Sequence, residues 1–270
     1  MTELSPQLFA IFASLVEEAS GLHYGEGERA LFAAKLADHA QDQGQGTLFD
    51  YYYRLRYDDP TGELKRELIE ALLVHETYFF RELAPLAQLV DVCARAIDLR
   101  GRARVWSAAC STGEEPFTMA MLLAERGLLD RVELVGTDLS AETIARARAG
   151  RHRTRALRDR HPPALAQRYL DATSTGVSVV PRIREAVRFE VMNLLDAAAI
   201  GTLGLFDVIL CRNVLIYFSD DRVAEVIRHV SGRLAPEGLL AVGVSESLLR
   251  FGNTLVCEER GNSFFYRVAR

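Results

Sequence analysis

The stretch ARVWSAACSTGEEPFTM, residues 103–119, determines the fold predicted for this chain. Its first part, residues 103–110, has the apolar, β-branched and aromatic content of a buried strand. Ser111-Thr112-Gly113 then forms a tight turn, in which glycine can take backbone angles that other residues avoid. Glu114-Glu115-Pro116 opens a helix, because acids in a first turn complement the positive end of the helix. A strand, glycine turn and helix in this order are the usual entry to a nucleotide-type pocket.

The pocket predicted at this turn suits S-adenosylmethionine (SAM) better than a dinucleotide. There is no G-x-G-x-x-G motif, and two carboxylates stand where a pyrophosphate would meet the helix N-terminus. The next predicted strand, residues 132–139, carries Asp138 at its end, where an acid can accept hydrogen bonds from a ribose diol. SAM has a ribose, a cationic sulfonium and an ammonium group, and no phosphate. The alternative is an unrelated α/β fold in which the two acids start a helix and Asp138 caps a loop.

The overall composition is that of an ordinary globular protein and excludes several classes. Of the 270 residues, 49% are hydrophobic and 26% charged, which allows one large or two modest domains. No apolar run approaches the ~18 residues of a membrane span, and the N-terminus lacks a signal-peptide pattern, so we expect a cytoplasmic protein. A net charge of −5 argues against a nucleic-acid partner for the whole protein. The four cysteines have neither disulfide nor metal-site spacing, which predicts reduced thiols and no metal: Cys93, Cys110, Cys211 and Cys257.

The first eighty residues are predicted to form a small all-α domain. Apolar residues recur at helical spacing from Leu4 to Val16, and Gly21 ends that segment. Further helices are predicted over residues 28–41, from Thr47 onward, and over residues 63–74. The tyrosines at 51–53 could form an interaction surface, but their helical spacing favours packing in the core and at its boundary.

Residues 75–82, HETYFFRE, are too aromatic for a plain linker. Phe79 and Phe80 are predicted to pack between domains, which would leave Thr77 and Arg81 free to face a ligand. A buried hinge with a solvated Arg81 is the alternative. A helix predicted over residues 83–99 then leads to the central strand.

An arginine-rich stretch lies between residues 146 and 160, with a single acid, Asp159, among its members. In an acidic protein this asymmetry implies an acidic partner, although a solvated basic face is the simpler interpretation for any one arginine. The stretch and the following His161-Pro162-Pro163 are too long for an ordinary connection, so we expect an inserted subdomain at about residues 151–186, with a small strand at 177–180. The seven arginines are Arg146, Arg148, Arg151, Arg153, Arg155, Arg158 and Arg160.

The remainder of the chain predicts a mostly parallel sheet with an antiparallel edge. Strands are predicted over residues 187–191, 206–211 and 239–244. A helix capped by Ser219 is predicted to run to Leu234 and to stop at Pro236-Glu237-Gly238. Two final strands flank Gly261-Asn262, a hairpin turn signal.

With these segments in place, the chain resembles the chemotaxis receptor glutamate methyltransferases of the CheR type over nearly its whole length. The matching motifs are HETYFFRE (75–82), VWSAACSTGEEP (105–116), GTD (136–138), NLL (193–195), CRNVLIYF (211–218) and LAPEGLL (234–240). The resemblance implies an α/β, Rossmann-like SAM-dependent methyltransferase fold. Its domains would be an all-α N-terminal domain (1–82), a linker helix (83–100) and a methyltransferase domain (101–270) carrying the small inserted β-subdomain.

The resemblance also implies a function and a set of site residues. SAM would donate its methyl group to receptor glutamates, giving glutamyl methyl esters and S-adenosylhomocysteine. Arg81 and Tyr217 match the pair that lines the methyl-transfer site. At position 75 relatives often have Asn, whereas this chain has His75, which can still donate or accept a hydrogen bond. The cofactor-binding residues, which include the turn glycine Gly113, would be His75, Thr77, Arg81, Gly113, Glu115, Asp138, Asn193, Leu194, Arg212 and Asn213.

The chemistry implied by the resemblance needs no strong general base. A glutamate carboxylate is ionised near neutral pH, because its ordinary pKa is about 4.3. The partner would be the acidic cytoplasmic helices of a methyl-accepting receptor, reached through the N-terminal domain and the arginine-rich stretch. Two alternatives remain: a methyltransferase of the same fold acting on RNA or a small molecule, and a non-catalytic SAM-binding sensor or adaptor.

Overall fold

The structure, a computed structural model, describes residues 4–44, 46–158, 163–251 and 255–269. The chain divides into two compact units, the smaller formed by Met1–Val74 with Tyr217–Arg222 and the larger by His75–Ile216 with Val223–Arg270. Residues 75–82 therefore group with the larger unit, whereas the sequence analysis placed them at the end of the helical domain. Within the described ranges, no helix combines the length and apolarity needed to cross a membrane.

The smaller unit is helical, as expected from the spacing of its apolar residues. Ser5 begins α1 by accepting a hydrogen bond from the Leu8 amide, and Gly21 ends it in a left-handed conformation with φ of 83°. In the tyrosine cluster, Tyr51 is fully buried whereas Tyr53 is 57% exposed. The helices are α1 (Pro6–Ser20), α2 (Arg29–Asp42), α3 (Leu48–Tyr57) and α4 (Glu63–Leu72).

The larger unit alternates strands and helices. In chain order its elements are α5 (Leu83–Arg100), β1 (Ala103–Ala108), α6 (Glu114–Glu125), β2 (Val132–Asp138), α7 (Ala141–Ala149), β3 (Arg151–Arg153), α8 (Pro163–Tyr169), β4 (Leu170–Thr173), β5 (Gly176–Val179), α9 (Pro181–Arg184), β6 (Val187–Val191), α10 (Ala197–Gly201), β7 (Phe206–Leu210), α11 (Asp220–Ser231), β8 (Leu234–Ala241), β9 (Leu255–Arg260) and β10 (Ser263–Val268). The first residues of α11 belong to the smaller unit.

The main sheet has the strand order β6-β2-β1-β7-β8-β10-β9. The strands from β6 to β8 pair in parallel, and β10 pairs antiparallel with both β8 and β9. The predicted mostly parallel sheet with an antiparallel edge is therefore confirmed. The centre of the sheet is buried: Trp106 on β1 is fully inaccessible to solvent, and its indole N–H donates to Thr137 Oγ1 at 2.9 Å.

A second, three-stranded antiparallel sheet lies between β2 and β6 in the sequence. Its order is β3-β5-β4, and its strands run from Arg151 to Val179. The region predicted as an inserted subdomain thus contains its own small sheet, and β5 covers most of the strand predicted at 177–180. At Gly176 a side chain would overlap the His152 carbonyl oxygen, so the β3–β5 pairing requires glycine there.

The structure corrects the prediction for residues 231–244. Helix α11 ends at Ser231, and Pro236-Glu237-Gly238 lies inside β8 instead of stopping a helix. The register between β7 and β8 shifts between Phe206 and Val208, which marks a bulge. A Cβ at Gly238 would lie 2.7 Å from the Phe206 carbonyl oxygen. The Pro-Glu-Gly sequence therefore accommodates a bulge with close backbone approach, and β8 ends at Ala241, three residues before the predicted end.

Candidate cofactor and methyl-transfer site

The predicted cofactor residues that follow strands share one edge of the main sheet. Strands β6, β2, β1 and β7 are parallel neighbours, so their carboxyl ends meet at this edge. β1 stands between β2 and β7, where successive connections leave in opposite directions, and ligands bind at such a switch point in open α/β sheets. Gly113 and Glu115 follow β1, Asp138 ends β2, Asn193 and Leu194 follow β6, and Arg212 and Asn213 follow β7.

The turn after β1 has an unusual backbone. Ala109, Ser111 and Gly113 have φ values of 58°, 50° and 94°, in the left-handed region. The prediction that Gly113 takes angles unfavourable for other residues is confirmed, and a Cβ there would lie 3.0 Å from the rings of Phe117 and Phe189. A non-glycine residue in this region costs on the order of 1 kcal/mol or more, so surrounding contacts must hold the turn in place.

Asp138 supplies one of those contacts. Its Oδ2 accepts a hydrogen bond from the Ser111 amide at 2.8 Å, and its Oδ1 accepts one from the Ser140 amide at 3.0 Å. Burial raises the pKa of Asp138, while these two backbone bonds and the charge of His75 act to lower it. The loop-capping role that the sequence left open for Asp138 is therefore present. The ribose contact of Asp138 stays a prediction.

The two adjacent acids at the start of α6 have different surroundings. Glu114 is 3% exposed and its Oε1 lies 3.0 Å from His152 Nδ1 on β3, while its Oε2 accepts from Thr112 Oγ1 at 2.7 Å. Glu115 instead accepts a hydrogen bond from Ser107 Oγ at 2.6 Å. The sequence analysis did not identify His152, since a histidine on a three-residue strand gives no recognisable pattern.

A buried arginine connects three segments of the site. The side chain of Arg212 is 1% exposed and donates to Glu115 Oε2 and Glu82 Oε2, each at 2.8 Å, and to the Arg81 carbonyl oxygen at 3.0 Å. Burial alone would lower the pKa of its guanidinium, but the carboxylates of Glu115 and Glu82 more than offset this, so the pKa is raised. Arg212 is thus a permanent cation within the larger unit, linking residues 75–82, α6 and the end of β7.

The loops after β6 and β7 are also fixed by hydrogen bonds. Asn193 Oδ1 accepts from the Leu195 amide at 2.9 Å, and the Leu194 carbonyl oxygen lies 3.0 Å from His229 Nδ1. Asn213 has a φ of 58°, and its amide donates to Glu246 Oε2 at 2.7 Å. Glu246 was missed by the sequence analysis, although an acid just after a parallel strand is the same signal that identified Asp138.

Residues 75–82 are anchored on two sides within the larger unit. The Phe79 amide donates to the Ala156 carbonyl oxygen at 2.9 Å, and the Phe80 amide donates to Thr118 Oγ1 at 3.1 Å. The sequence predicted that Phe79 and Phe80 pack between domains, but the structure buries both rings in the core of the larger unit. Thr77 is half-buried and His75 is exposed.

Two guanidinium groups lie against one aromatic ring in this segment. Arg81 donates to the Glu76 carbonyl oxygen at 3.1 Å, and its guanidinium carbon is 5.5 Å from the centroid of the Tyr78 ring. The Arg158 guanidinium carbon is 4.2 Å from the same centroid, and Arg158 donates to the Glu76 carboxylate at 2.6 Å. Two cations therefore lie against one ring, and the contact of Arg81 with a ligand stays a prediction.

Tyr217, the second predicted catalytic residue, belongs to the smaller unit. Its carbonyl oxygen accepts a hydrogen bond from the His23 amide at 2.8 Å. Arg81 belongs to the larger unit, so the pairing of Arg81 with Tyr217 stays a prediction.

Only some of the arginines in the arginine-rich stretch contact other residues of the protein. Arg146 pairs with Glu142, and Arg148 donates to the Phe189 carbonyl oxygen at 2.6 Å. Three others are exposed and have no ion-pair partner among the described residues: Arg151, Arg153 and Arg155. Arg160 and the adjoining His161 and Pro162 lie outside the described residues.

Comparison with known proteins identifies relatives along most of the chain. Residues 75–261 match the model of the CheR methyltransferase, SAM binding domain. Chemotaxis protein methyltransferase 1 of Pseudomonas aeruginosa is 35% identical over 250 residues, covering 89% of this chain and 90% of that protein. Chemotaxis protein methyltransferase Cher2 of Pseudomonas putida is 33% identical over 250 residues, covering 89% of this chain and 90% of that protein. The chemotaxis protein methyltransferase of Escherichia coli is 32% identical over 259 residues, covering 92% and 87%.

The groups at the sheet edge fit SAM. Carboxylates suit the hydroxyl and ammonium donors of SAM, and the edge holds Glu115 and Asp138. The Ser111 hydroxyl and the Nε of Arg212 are buried with no hydrogen-bond partner among the described residues. Buried polar atoms are normally paired, so a polar ligand bound at this edge can supply each of these atoms with a partner.

We expect Arg212 to be essential to the stability of the larger unit. Replacing Arg212 by Met removes the cation but leaves Glu82 and Glu115 facing each other, and breaking a buried ion pair in this way costs about 3–5 kcal/mol. Urea denaturation should show a loss of that size in the free energy of unfolding of Arg212→Met.

The matched control is Arg126→Met, since Arg126 and its partner Asp91 are 53% and 56% exposed. An exposed pair is worth about 1 kcal/mol or less, so this variant should unfold close to the parent protein. Equal losses in the two variants would contradict the special role of the Arg212 cluster.

Proposed function

Because the chain belongs to the CheR methyltransferase family and uses SAM as its cofactor, we propose that it methylates glutamate side chains of chemotaxis receptors. The products would be a glutamyl methyl ester and S-adenosylhomocysteine. The observation that carries the proposal is the convergence of Glu115, Asp138, Asn193 and Arg212 at the carboxyl ends of four adjacent strands. The names of the relatives support the receptor as substrate.

The proposed site works by binding and orientation. SAM supplies a methyl group made electrophilic by its sulfonium, which leaves as a neutral thioether. The residues of the chain then have to align a substrate carboxylate with that methyl group, and such positioning can account for a large part of a rate enhancement. The carboxylate is already ionised near neutral pH, so no residue has to remove a proton from it.

Arg81 is proposed to hold the substrate carboxylate. The guanidinium of Arg81 donates to a backbone carbonyl, that of Glu76, and it has five N–H donors in all. A guanidinium can bind a carboxylate through two parallel hydrogen bonds, which fixes both position and angle. Tyr217 is proposed as the second catalytic residue, acting through its hydroxyl, on the strength of the family resemblance alone.

The acidic surroundings of the target glutamate are proposed to bind the arginine-rich stretch. Arg158 shares the Tyr78 ring with Arg81, so it is close enough to meet an acid near the methylated side chain. Its partner, the Glu76 carboxylate, is 56% exposed, and an acid of the substrate could replace it at little cost. The exposed arginines of the inserted sheet extend the basic surface away from this point.

The reaction is tested by the chemical stability of the product. The protein is incubated with methyl-labelled SAM and receptor-containing membranes from the source cell, and the labelled membrane proteins are treated with mild alkali. A carboxyl methyl ester hydrolyses under these conditions, so the label should be released as methanol. Alkali-stable label on the receptor, which indicates nitrogen or carbon methylation, would refute glutamate as the substrate.

Replacement of Arg81 by Ala should separate catalysis from cofactor binding. Loss of a charge-assisted donor that acts on the reacting group costs on the order of 100-fold in kcat. The Kd for S-adenosylhomocysteine, measured by calorimetry, should change much less. The control is Arg95→Ala on α5, an exposed arginine of the same unit. Equal losses in turnover and cofactor affinity would exclude the proposed substrate contact.

Receptor association should depend steeply on salt. The Debye length falls from about 30 Å at 0.01 M ionic strength to about 3 Å at 1 M, so attraction between exposed charges is lost over this range. The KM for receptor should rise strongly with salt, and a variant with Arg153, Arg155 and Arg158 changed to Ala should have a higher KM and a weaker salt dependence.

A control variant removes three positive charges elsewhere on the larger unit. It replaces the exposed residues Arg95, Arg102 and Arg131 by Ala. If both triple variants change the KM and its salt dependence equally, net charge rather than the arginine-rich stretch determines receptor association.

A further inference from the structure

One carboxylate holds together two loops that leave the main sheet next to the proposed cofactor residues. Glu246 Oε2 accepts hydrogen bonds from the Asn213 amide at 2.7 Å and from the Gly243 amide at 2.6 Å. Its Oε1 accepts one from the Leu215 amide at 2.8 Å, and the Ile216 amide lies 3.4 Å away. Glu246 thus binds backbone on both sides, from the end of β7 and from the end of β8.

These bonds satisfy amide groups that no regular element could pair. Asn213 has a left-handed φ of 58°, so the chain turns sharply directly after Arg212 and leaves the hydrogen-bonding pattern of β7. Unpaired buried amides are costly, and a carboxylate that accepts several of them fixes the path of the backbone. The loop of residues 212–216 is therefore shaped by Glu246 rather than by its own sequence.

The packing beside Glu246 leaves no space for a side chain at Gly243 unless its neighbours shift. A Cβ on Gly243 would lie 2.5 Å from the Asn213 side-chain nitrogen and 2.8 Å from Glu246 Oε2. The absence of a side chain at Gly243 is what lets the two loops approach each other. The same two loops carry two exposed apolar side chains, Ile216 and Val244, which are 57% and 78% exposed.

We propose that Glu246 is a positioning residue of this methyltransferase. Its carboxylate sets the backbone of residues 212–216 and thereby presents Arg212 and Asn213 to SAM. The proposal rests on the proposed cofactor residues and not on glutamate as the substrate, so it can be tested without a receptor.

Both oxygens of Glu246 accept amides of residues 213–216, and Oε2 also accepts the Gly243 amide, which makes Glu246→Gln an informative variant. A glutamine keeps one acceptor and places an NH2 group against the amides that the other oxygen served, so the loop of residues 212–216 loses a hydrogen bond in either orientation. The Kd for S-adenosylhomocysteine, measured by calorimetry, should rise by at least about tenfold, since a single hydrogen bond to a charged group is worth that much. In the protein without ligand, the amides of Asn213, Leu215 and Gly243 should exchange hydrogen at least about tenfold faster.

A purely structural role predicts a different result and would overturn the proposal. In that case Glu246→Gln would lower the unfolding midpoint and speed exchange evenly across the larger unit, with unchanged affinity per folded molecule. The control is Glu142→Gln on α7, which removes the exposed pair with Arg146 and should leave both measurements within twofold.

A second variant keeps the proposal testable should Glu246→Gln fail to fold. Gly243→Ala retains every charge and pushes a methyl group towards Asn213 and Glu246. It should weaken S-adenosylhomocysteine binding and speed exchange in residues 212–216 specifically. Binding within twofold of the parent in folded Gly243→Ala would refute the positioning role.

Discussion

The structure of the site depends on a cation that is shielded from water. Arg212 lies between the carboxylates of Glu82 and Glu115, and its side chain is almost completely buried. Desolvating a guanidinium costs several kcal/mol, and the cost is recovered only when the partners are well placed and hydrogen-bonded. The ends of β7, the start of α6 and the segment 75–82 must therefore adopt one mutual arrangement. Any other arrangement within the larger unit would leave a buried charge without a partner.

Carboxylates at strand ends make the second set of constraints. Asp138 binds the amides of Ser111 and Ser140, and Glu246 binds those of Asn213, Leu215 and Gly243. Asp138 ends β2 and Glu246 lies shortly after β8, and each holds a neighbouring loop that has a positive φ. Loops in such conformations are not stabilised by their own sequence, since left-handed backbone disfavours most side chains. The acids thus allow irregular backbone exactly at the sheet edge where a ligand needs to approach it.

Much of this architecture could be predicted from local patterns. Strand β6 was predicted with its observed bounds, and the end of α1 at Gly21 followed from residue type and spacing alone. The error at Pro236-Glu237-Gly238 arose because the same residues signal either a helix stop or a bulge, and only the pairing of β8 with β7 distinguishes them. Glu246 follows the predicted strand end at Val244 by two residues, but its role depends on amides that lie 33 and 31 positions away in the sequence, which no local pattern reveals.

Contacts between distant segments could not be predicted at all. The sequence indicated that Glu114 and Glu115 both belong to the helix start, but their different partners, His152 and Arg212, come from segments 38 and 97 residues away. Phe79 and Phe80 were correctly expected to be buried, whereas which core buries them depends on how β3 and α6 pack. Periodicity reports that a side chain is covered and carries no information on what covers it.

The charged residues of the proposed site are separated by sign, and each group suits one of the two reactants. At the sheet edge, Glu82 and Glu115 outnumber the single Arg212 cation, and Asp138 adds a further carboxyl group, which suits a positively charged cofactor. At the Tyr78 ring, by contrast, the guanidinium groups of Arg81 and Arg158 lie near one exposed carboxylate, that of Glu76, and suit a negatively charged substrate. Methyl transfer from a sulfonium to a carboxylate joins opposite charges and ends with neutral products. A site with separate regions of each sign binds the two reactants well, and both attractions weaken once the charges have been neutralised, which favours release of the products.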